Sequence, residues 1–246
     1  MEVHHHPHVH HSKKWKDYFF EFLMLFLAVT TGFFVENLRE HNVEAKREKQ
    51  YIKSFIEDLK MDTSSLSMWI KIIHGNRNKI DSLIYLLGRP GIESSGNDLY
   101  YYARFATKIN FFKSNDRTIT QLKNSGGLRL IRNQQASDSI MSYQELMEGL
   151  VTNKEIEQKE TEFLYPYLSR LFDPAIFEAM QDDFGNINRP TGNPPLRNAN
   201  QDEIKEFKFY LHQKKTSYIF AEDFLKKLRI KAENIITFLQ KEYALE

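Results

Sequence analysis

The run from Trp15 to Val35 limits this chain more tightly than anything else in it. Tyr18-Phe-Phe-Glu-Phe-Leu-Met-Leu-Phe-Leu-Ala-Val-Thr-Thr-Gly-Phe-Phe-Val35 carries one charge, Glu21, and none from Phe22 onward. A bilayer span needs about 20 mostly apolar residues, at roughly 1.5 Å rise each. Counting from Trp15 reaches that length. Trp15 and Tyr18 then fall where an interfacial aromatic belt would lie, and Lys13, Lys14 and Lys16 can snorkel to headgroups. A buried core helix of a soluble protein would show a polar stripe. Here large apolar side chains occupy every face between Phe19 and Phe34. No A-x-A-like cleavage site follows Val35, so the run reads as a retained span rather than a signal peptide.

Charge asymmetry gives the expected orientation. Three lysines precede the span, whereas Glu36-Asn-Leu-Arg-Glu-His41 follows it with one Arg and two acids. The positive-inside rule then places the N-terminus in the cytoplasm and the bulk of the chain in the periplasm of a bacterial inner membrane. Lys46, Arg47 and Lys49 weaken that contrast. Net charge is +1 and cysteine is absent. No concentrated basic patch argues for nucleic acid, and disulfides, thiolate nucleophiles and Cys-ligated zinc are excluded.

Behind the span, one three-four register links Val35, Leu38, Asn42, Ala45, Lys49, Ile52, Ile56, Leu59, Thr63, Leu66, Ile70, Ile73, Arg77, Ile80, Ile84 and Leu87. This is the a/d pattern of a coiled coil or a helical bundle. Asp62-Thr-Ser-Ser65 and Gly75-Asn76 are candidate breaks, and Gly88-Arg-Pro-Gly91 ends the helix. Run backwards, the register passes through Thr31, Ala28, Met24 and Glu21. The seam inside the membrane is therefore small or polar, which favours self-association with Glu21 and Thr31 facing inward. The competing reading sets Glu21 near the headgroups, reaching towards Lys14 or Lys16. Isoleucine at both a and d leans to a homotrimer, although packing within one chain accounts for the same residues.

The remainder reads as helices and loops. Gly88 to Asp98 is expected as a loop, and Asp98 to Phe112 as an aromatic-rich helix whose tyrosines are core. Thr118 to Asn133 reads as helix, glycine corner and helix start; its Gly126-Gly127 pair lacks phosphate-loop spacing. Gln134 to Arg170 is helical, with Ile140, Tyr143, Met147 and Leu150 on one stripe. Asp173-Pro174 ends it, Ala175 to Phe184 is a short helix, and Asn186 to Asn200 is a loop. Asp202 to Tyr243 keeps the register Ile204, Phe207, Leu211, Lys214, Tyr218, Ala221, Leu225, Leu228, Ala232, Ile235 and Leu239. No alternating run is long enough for a sheet. The expected class is all-α: a transmembrane helix continuing into a heptad-patterned helix, with an antiparallel helical-bundle soluble domain. The expected organisation is a His-rich tail over 1–14, the span over 15–36 and the bundle over 37–246.

Two polar features bear on function. Met1-Glu-Val-His-His-His-Pro-His-Val-His-His11 holds six of nine histidines. In an extended chain His4, His6, His8 and His10 point to one side and could chelate a divalent transition metal: zinc, copper or nickel. A purification tag or a partly protonated tail near headgroups are the competing readings. Asp58, Asp62, Asp182 and Asp183 show no metal-loop spacing and read as solvated surface.

Met1-Glu-Val-His-His-His-Pro-His8, Lys14-Trp-Lys-Asp-Tyr-Phe-Phe-Glu-Phe-Leu-Met-Leu-Phe-Leu-Ala-Val29, Gly32-Phe-Phe, Glu36-Asn and Arg39-Glu-His41 resemble an uncharacterised family of single-pass Bacteroidota membrane proteins. Gln121-Leu-Lys-Asn-Ser-Gly-Gly-Leu-Arg-Leu-Ile-Arg-Asn133 is similar to an element that recurs in that group. The resemblance implies an inner-membrane protein and a native histidine start, and it implies no activity. The expectation is a non-enzymatic homo-oligomer bound to the lipid bilayer, acting as scaffold, sensor or accessory subunit for a membrane or periplasmic protein partner. The rival expectation is an ion- or metal-handling assembly that uses the histidine row and Glu21.

Overall fold

The apolar run and the heptads behind it belong to one α-helix, α1 (Trp15–Leu86), in the computed structural model, which describes residues 14–109 and 112–245. At the start of α1 the Lys14 N–H donates to Asp17 Oδ2 at 2.8 Å. The side chain three residues in thereby satisfies an amide that a helix start leaves open. At the other end, Pro90 offers no amide donor, and Gly91 turns the chain at φ 75°.

By its contacts the chain divides into residues 1–50 and 51–246. In the first unit the described residues are almost wholly helical, and the helix wears its apolar side chains outward. Phe22, Phe26, Phe33 and Phe34 are all more than half exposed, and none of the apolar stretch is buried. By length and composition this helix can cross a membrane.

The second unit holds the rest of α1 and five more helices: α2 (Gly96–Ala106), α3 (Arg117–Asn124), α4 (Gln134–Leu171), α5 (Pro174–Ala179) and α6 (Gln201–Glu242). Single 3₁₀ turns lie at Ile92–Ser95 and Gly127–Leu130. Among the described residues there is no strand, only an isolated bridge between Gln181 and Ile187. The Gly88–Asp98 loop is thus shorter than its glycines suggest. α5 stops at Ala179, where Asp182 turns the chain by accepting the N–H groups of Phe184 and Asn186.

The expected register is buried where the second unit begins. Ile52, Ile56, Leu59, Leu66, Ile73 and Ile80 of α1, and Leu87 just past its end, are core residues. They are covered by the chain's own helices, which accounts for this part of the heptad without a second copy. On α6, ten of the eleven register positions are buried; at the eleventh, Glu222 is buried instead of Ala221.

Neither candidate break interrupts α1. Asp62 is fully buried, with its carboxylate taken up by partners from other segments. The Thr63 and Ser67 hydroxyls donate to the carbonyls of Lys60 and Thr63, at 2.8 and 2.9 Å. Polar side chains satisfied in this way no longer compete with the helix for backbone partners. Gly75 lies on an open face, and Asn76 is buried.

α2 is held by its tyrosine run. Tyr100 is fully buried, with its ring edge-on to Phe172 and Phe177. Its hydroxyl donates to the Pro195 carbonyl at 3.1 Å and accepts the Asp173 N–H at 2.9 Å. Gly96 has no side chain because the Pro194 carbonyl occupies the place of a Cβ. Asn97 and Asn193 exchange backbone-to-side-chain hydrogen bonds there and strap the 190–200 segment onto α2.

Candidate functional site

Two buried polar networks in the second unit flank a cavity. The first begins on α1, where Asp58 and Asp62 lie four residues apart and face inward. Asp58 accepts from Arg117 Nη2 at 2.8 Å, from the Thr118 N–H at 3.0 Å and from the Thr118 hydroxyl. Asp62 accepts both the backbone N–H and the side-chain amide of Asn115 on one oxygen, at 2.8 Å each. Its other oxygen accepts from the Tyr143 hydroxyl at 2.8 Å. The two carboxylates thereby pin the start of α3, and the segment before it, against α1 and α4. The sequence alone reads both as solvated surface. They are 2% and 0% exposed, because they lie between the core positions Phe55, Leu59 and Leu66 of the same helical face. Burial, with Asp58 adding to it, pushes the Asp62 carboxyl above the usual range even though three donors oppose the shift. Burial and the Asp62 charge push the Tyr143 phenol well up.

The second network joins α4 and α6 through Lys214, which is fully buried. Its ammonium donates to Thr161 Oγ1 at 2.7 Å, to Glu157 Oε1 at 3.2 Å and to the Glu157 carbonyl at 3.3 Å. Thr161 in turn donates to that carbonyl at 2.8 Å. Next to it, Ser217 donates to Glu160 Oε1 at 2.7 Å. Burial holds Lys214 below the ordinary lysine range against the pull of Glu157, and pushes Glu160 above the carboxylate range. The sequence did carry a signal here. A lysine on the α6 register between Leu211 and Tyr218 occupies a core position and needs a partner.

Between the networks lies a cavity of 670 Å³, within the range of ligand pockets. Its wall includes Ile119, Met147, Leu150, Phe220 and Leu225, and its charged residues are Lys113, Lys123 and Lys154 with Asp116, Glu148 and Glu157. Along α4 it extends from Tyr143 to Glu157, fourteen positions and so about 21 Å of helix. Asn115, Tyr143, Glu157 and Ser217 belong to both wall and networks. Their hydrogen bonds already run inside those networks, so the wall is held rigid by them and offers a mainly apolar surface. That arrangement suits recognition of a ligand.

The residues singled out from the sequence lie elsewhere. His4, His6, His8 and His10 fall outside the described residues, so the metal expectation is carried by the sequence alone. Among the described residues no group of three or more His, Cys, Asp or Glu side chains could hold a metal. Thr31 lines a shallow concavity on the first-unit helix with the expected seam positions Met24, Ala28 and Val35, beside Leu27, Gly32 and Glu36. Glu21 is exposed on the same helix. The neighbouring Thr30 turns its hydroxyl back to the Phe26 carbonyl at 2.6 Å.

Comparison of the chain with family models, with curated proteins and with solved structures gives no match.

Proposed function

We propose that this chain is a membrane-anchored, non-catalytic sensor or scaffold of the bacterial inner membrane, in which an antiparallel helical bundle carries a ligand cavity. The anchor rests on one observation: an apolar helix with large side chains exposed all round and none of the stretch buried. Water does not tolerate so large a continuous apolar surface, whereas a bilayer satisfies it and leaves every backbone hydrogen bond inside the helix. The bundle reading is supported by the order of the pairs between α4 and α6. Arg170 meets Glu203, Glu157 meets Lys214, and Asn133 at the α4 cap meets Glu242. One sequence rises along this series as the other falls.

Self-association through the span belongs to the same reading. The core of the second unit already covers the isoleucines of α1, so what supports association is the small-residue face at Ala28, Thr31 and Gly32. The expected orientation keeps the N-terminus inside. Lys13, Lys14 and Lys16 stand on that side, against the single Arg39 among the six residues just past the span.

Alkaline carbonate extraction tests the anchor. The full chain should stay in the membrane pellet, and release into the supernatant would remove the reading. The absence of cysteine makes orientation equally direct to measure. A single Leu245→Cys should react with a membrane-impermeant maleimide on intact spheroplasts, and its protection until lysis would reverse the topology.

A further inference from the structure

Among the described residues nothing fills the cavity. We propose that it binds a single-chain amphiphile: an acyl tail along the apolar wall, with an anionic head at the lysine rim. The proposal rests on the membrane-anchored reading for its supply of ligand and on the cavity's own geometry for everything else.

Length comes first. The wall follows about 21 Å of α4, from Tyr143 to Glu157. One acyl chain spans about 15 Å, half of the roughly 30 Å hydrocarbon core of a bilayer. The cavity therefore takes one tail and leaves room for a polar head. At 670 Å³ it is too small for a two-chain lipid to enter whole and larger than a single aromatic metabolite needs.

The lining comes next. Met147, Leu150, Phe220 and Leu225 present aliphatic and aromatic surface, and Met147 adds a side chain that adapts to a flexible tail. Asn115, Tyr143, Glu157 and Ser217 hold their hydrogen bonds inside the two buried networks, while Gln144 donates to Glu148 and keeps Oε1 as an open acceptor in the wall. Apolar surface continues out of the cavity: Val151 and Phe220 are 61% and 69% exposed. An entrance of that character suits a molecule arriving tail first.

The head is read from the lysines. Lys123 faces Glu148 at 3.9 Å. Lys113, which is exposed, has no ion-pair partner among the described residues. A carboxylate or phosphate head would supply one. An exposed contact of this kind is worth at most about fivefold in affinity, so the tail sets the binding and the head sets the preference.

Photolabelling of the full-length protein in phosphatidylcholine nanodiscs tests this. The probe is a long-chain fatty acid carrying a diazirine in its tail, with adducts mapped by peptide mass spectrometry. Adducts on 143–157 and 217–225, besides those on 15–35, are the expected result. The matching fatty alcohol should label the cavity up to about fivefold less while labelling 15–35 equally, and Lys113→Glu should abolish that difference. Ala221→Trp, which fills the wall, should remove cavity adducts only; its thermal unfolding should match the parent, and Leu150→Phe serves if it does not. Adducts confined to 15–35 would overturn the amphiphile site and leave the anchor standing. Adducts in the cavity with none on 15–35 would support the site and sink the anchor. Equal labelling by acid and alcohol would overturn the anionic head. If Val151→Cys forms a disulfide between two copies and blocks labelling, the occupant is a second copy, and the proposal falls.

Discussion

Lys214→Ala should cost about 3–5 kcal/mol of stability, because it leaves the Glu157 carboxylate buried without its cation. Lys214→Met/Glu157→Leu should lie within about 1 kcal/mol of the parent, or above it, since desolvating the pair offsets most of its attraction. The geometry favours that recovery. Thr161 keeps its own donor bond to the Glu157 carbonyl when the lysine goes, so no new orphan appears. The pH dependence has a definite sign. The folded-state value of Lys214 lies below the ordinary lysine value of 10.5 because of burial. The unfolded chain therefore binds more protons in the interval between the two, and stability rises with pH through it. Below the folded value the cost of burying the charge is complete. Chemical denaturation of the full chain in mild detergent, followed by circular dichroism, reads both effects. Equal losses in the single and double variants would show that the pair matters only as packing.

Asp62→Ala should be comparably damaging, at about 3 kcal/mol. It strips acceptors from the Asn115 N–H, the Asn115 side-chain amide and the Tyr143 hydroxyl, and each buried donor left unmet costs about 1–3 kcal/mol before relaxation. Asp62→Asn should cost only about 1 kcal/mol, because its carbonyl oxygen still accepts from Asn115 and its amide can face the Tyr143 oxygen. The sign of the pH effect is opposite to the lysine's. Burial raises the folded-state Asp62 value above its ordinary 3.8. The native state therefore binds the extra proton in that interval, and the Asp62 contribution is complete below 3.8 and declines as pH rises through the raised value. Asn removes this slope, so the parent minus Asp62→Asn difference isolates it from the other carboxylates. Asn115 and Tyr143 also line the cavity. Asp62→Ala should thus loosen the cavity wall in hydrogen exchange around 112–118, and unchanged exchange there would refute a pinning role for Asp62.

The two networks show where reading the sequence stops. Lys214 fell on the apolar register of α6, so a buried lysine was visible in the spacing. Its partners were not, since Glu157 and Thr161 are among many polar residues of α4 and only packing selects them. Asp58 and Asp62 misled in the opposite direction. Their positions lie beside the a/d register, where a solvated acid and a buried one look alike until a neighbouring helix covers that face. Asp62-Thr-Ser-Ser65 looked like a helix break for a related reason: local polar side chains compete with the helix only while they lack other partners.

The helical class, the apolar segment and its first residue, the stop at Gly88-Arg-Pro-Gly91, the glycine corner at Gly126 and the buried stripe of α6 are all written in the order of the residues. Each of these follows from local stereochemistry or from a period of 3.6, which a chain carries along its own length. It took the packing of the helices to cover the α1 isoleucines with their own chain, to make core residues of two aspartates and to open a cavity between α3, α4 and α6. Those are contacts between residues far apart in the chain, 162 positions for Arg229 against Ser67. Their energies depend on which faces meet, and no local pattern encodes that.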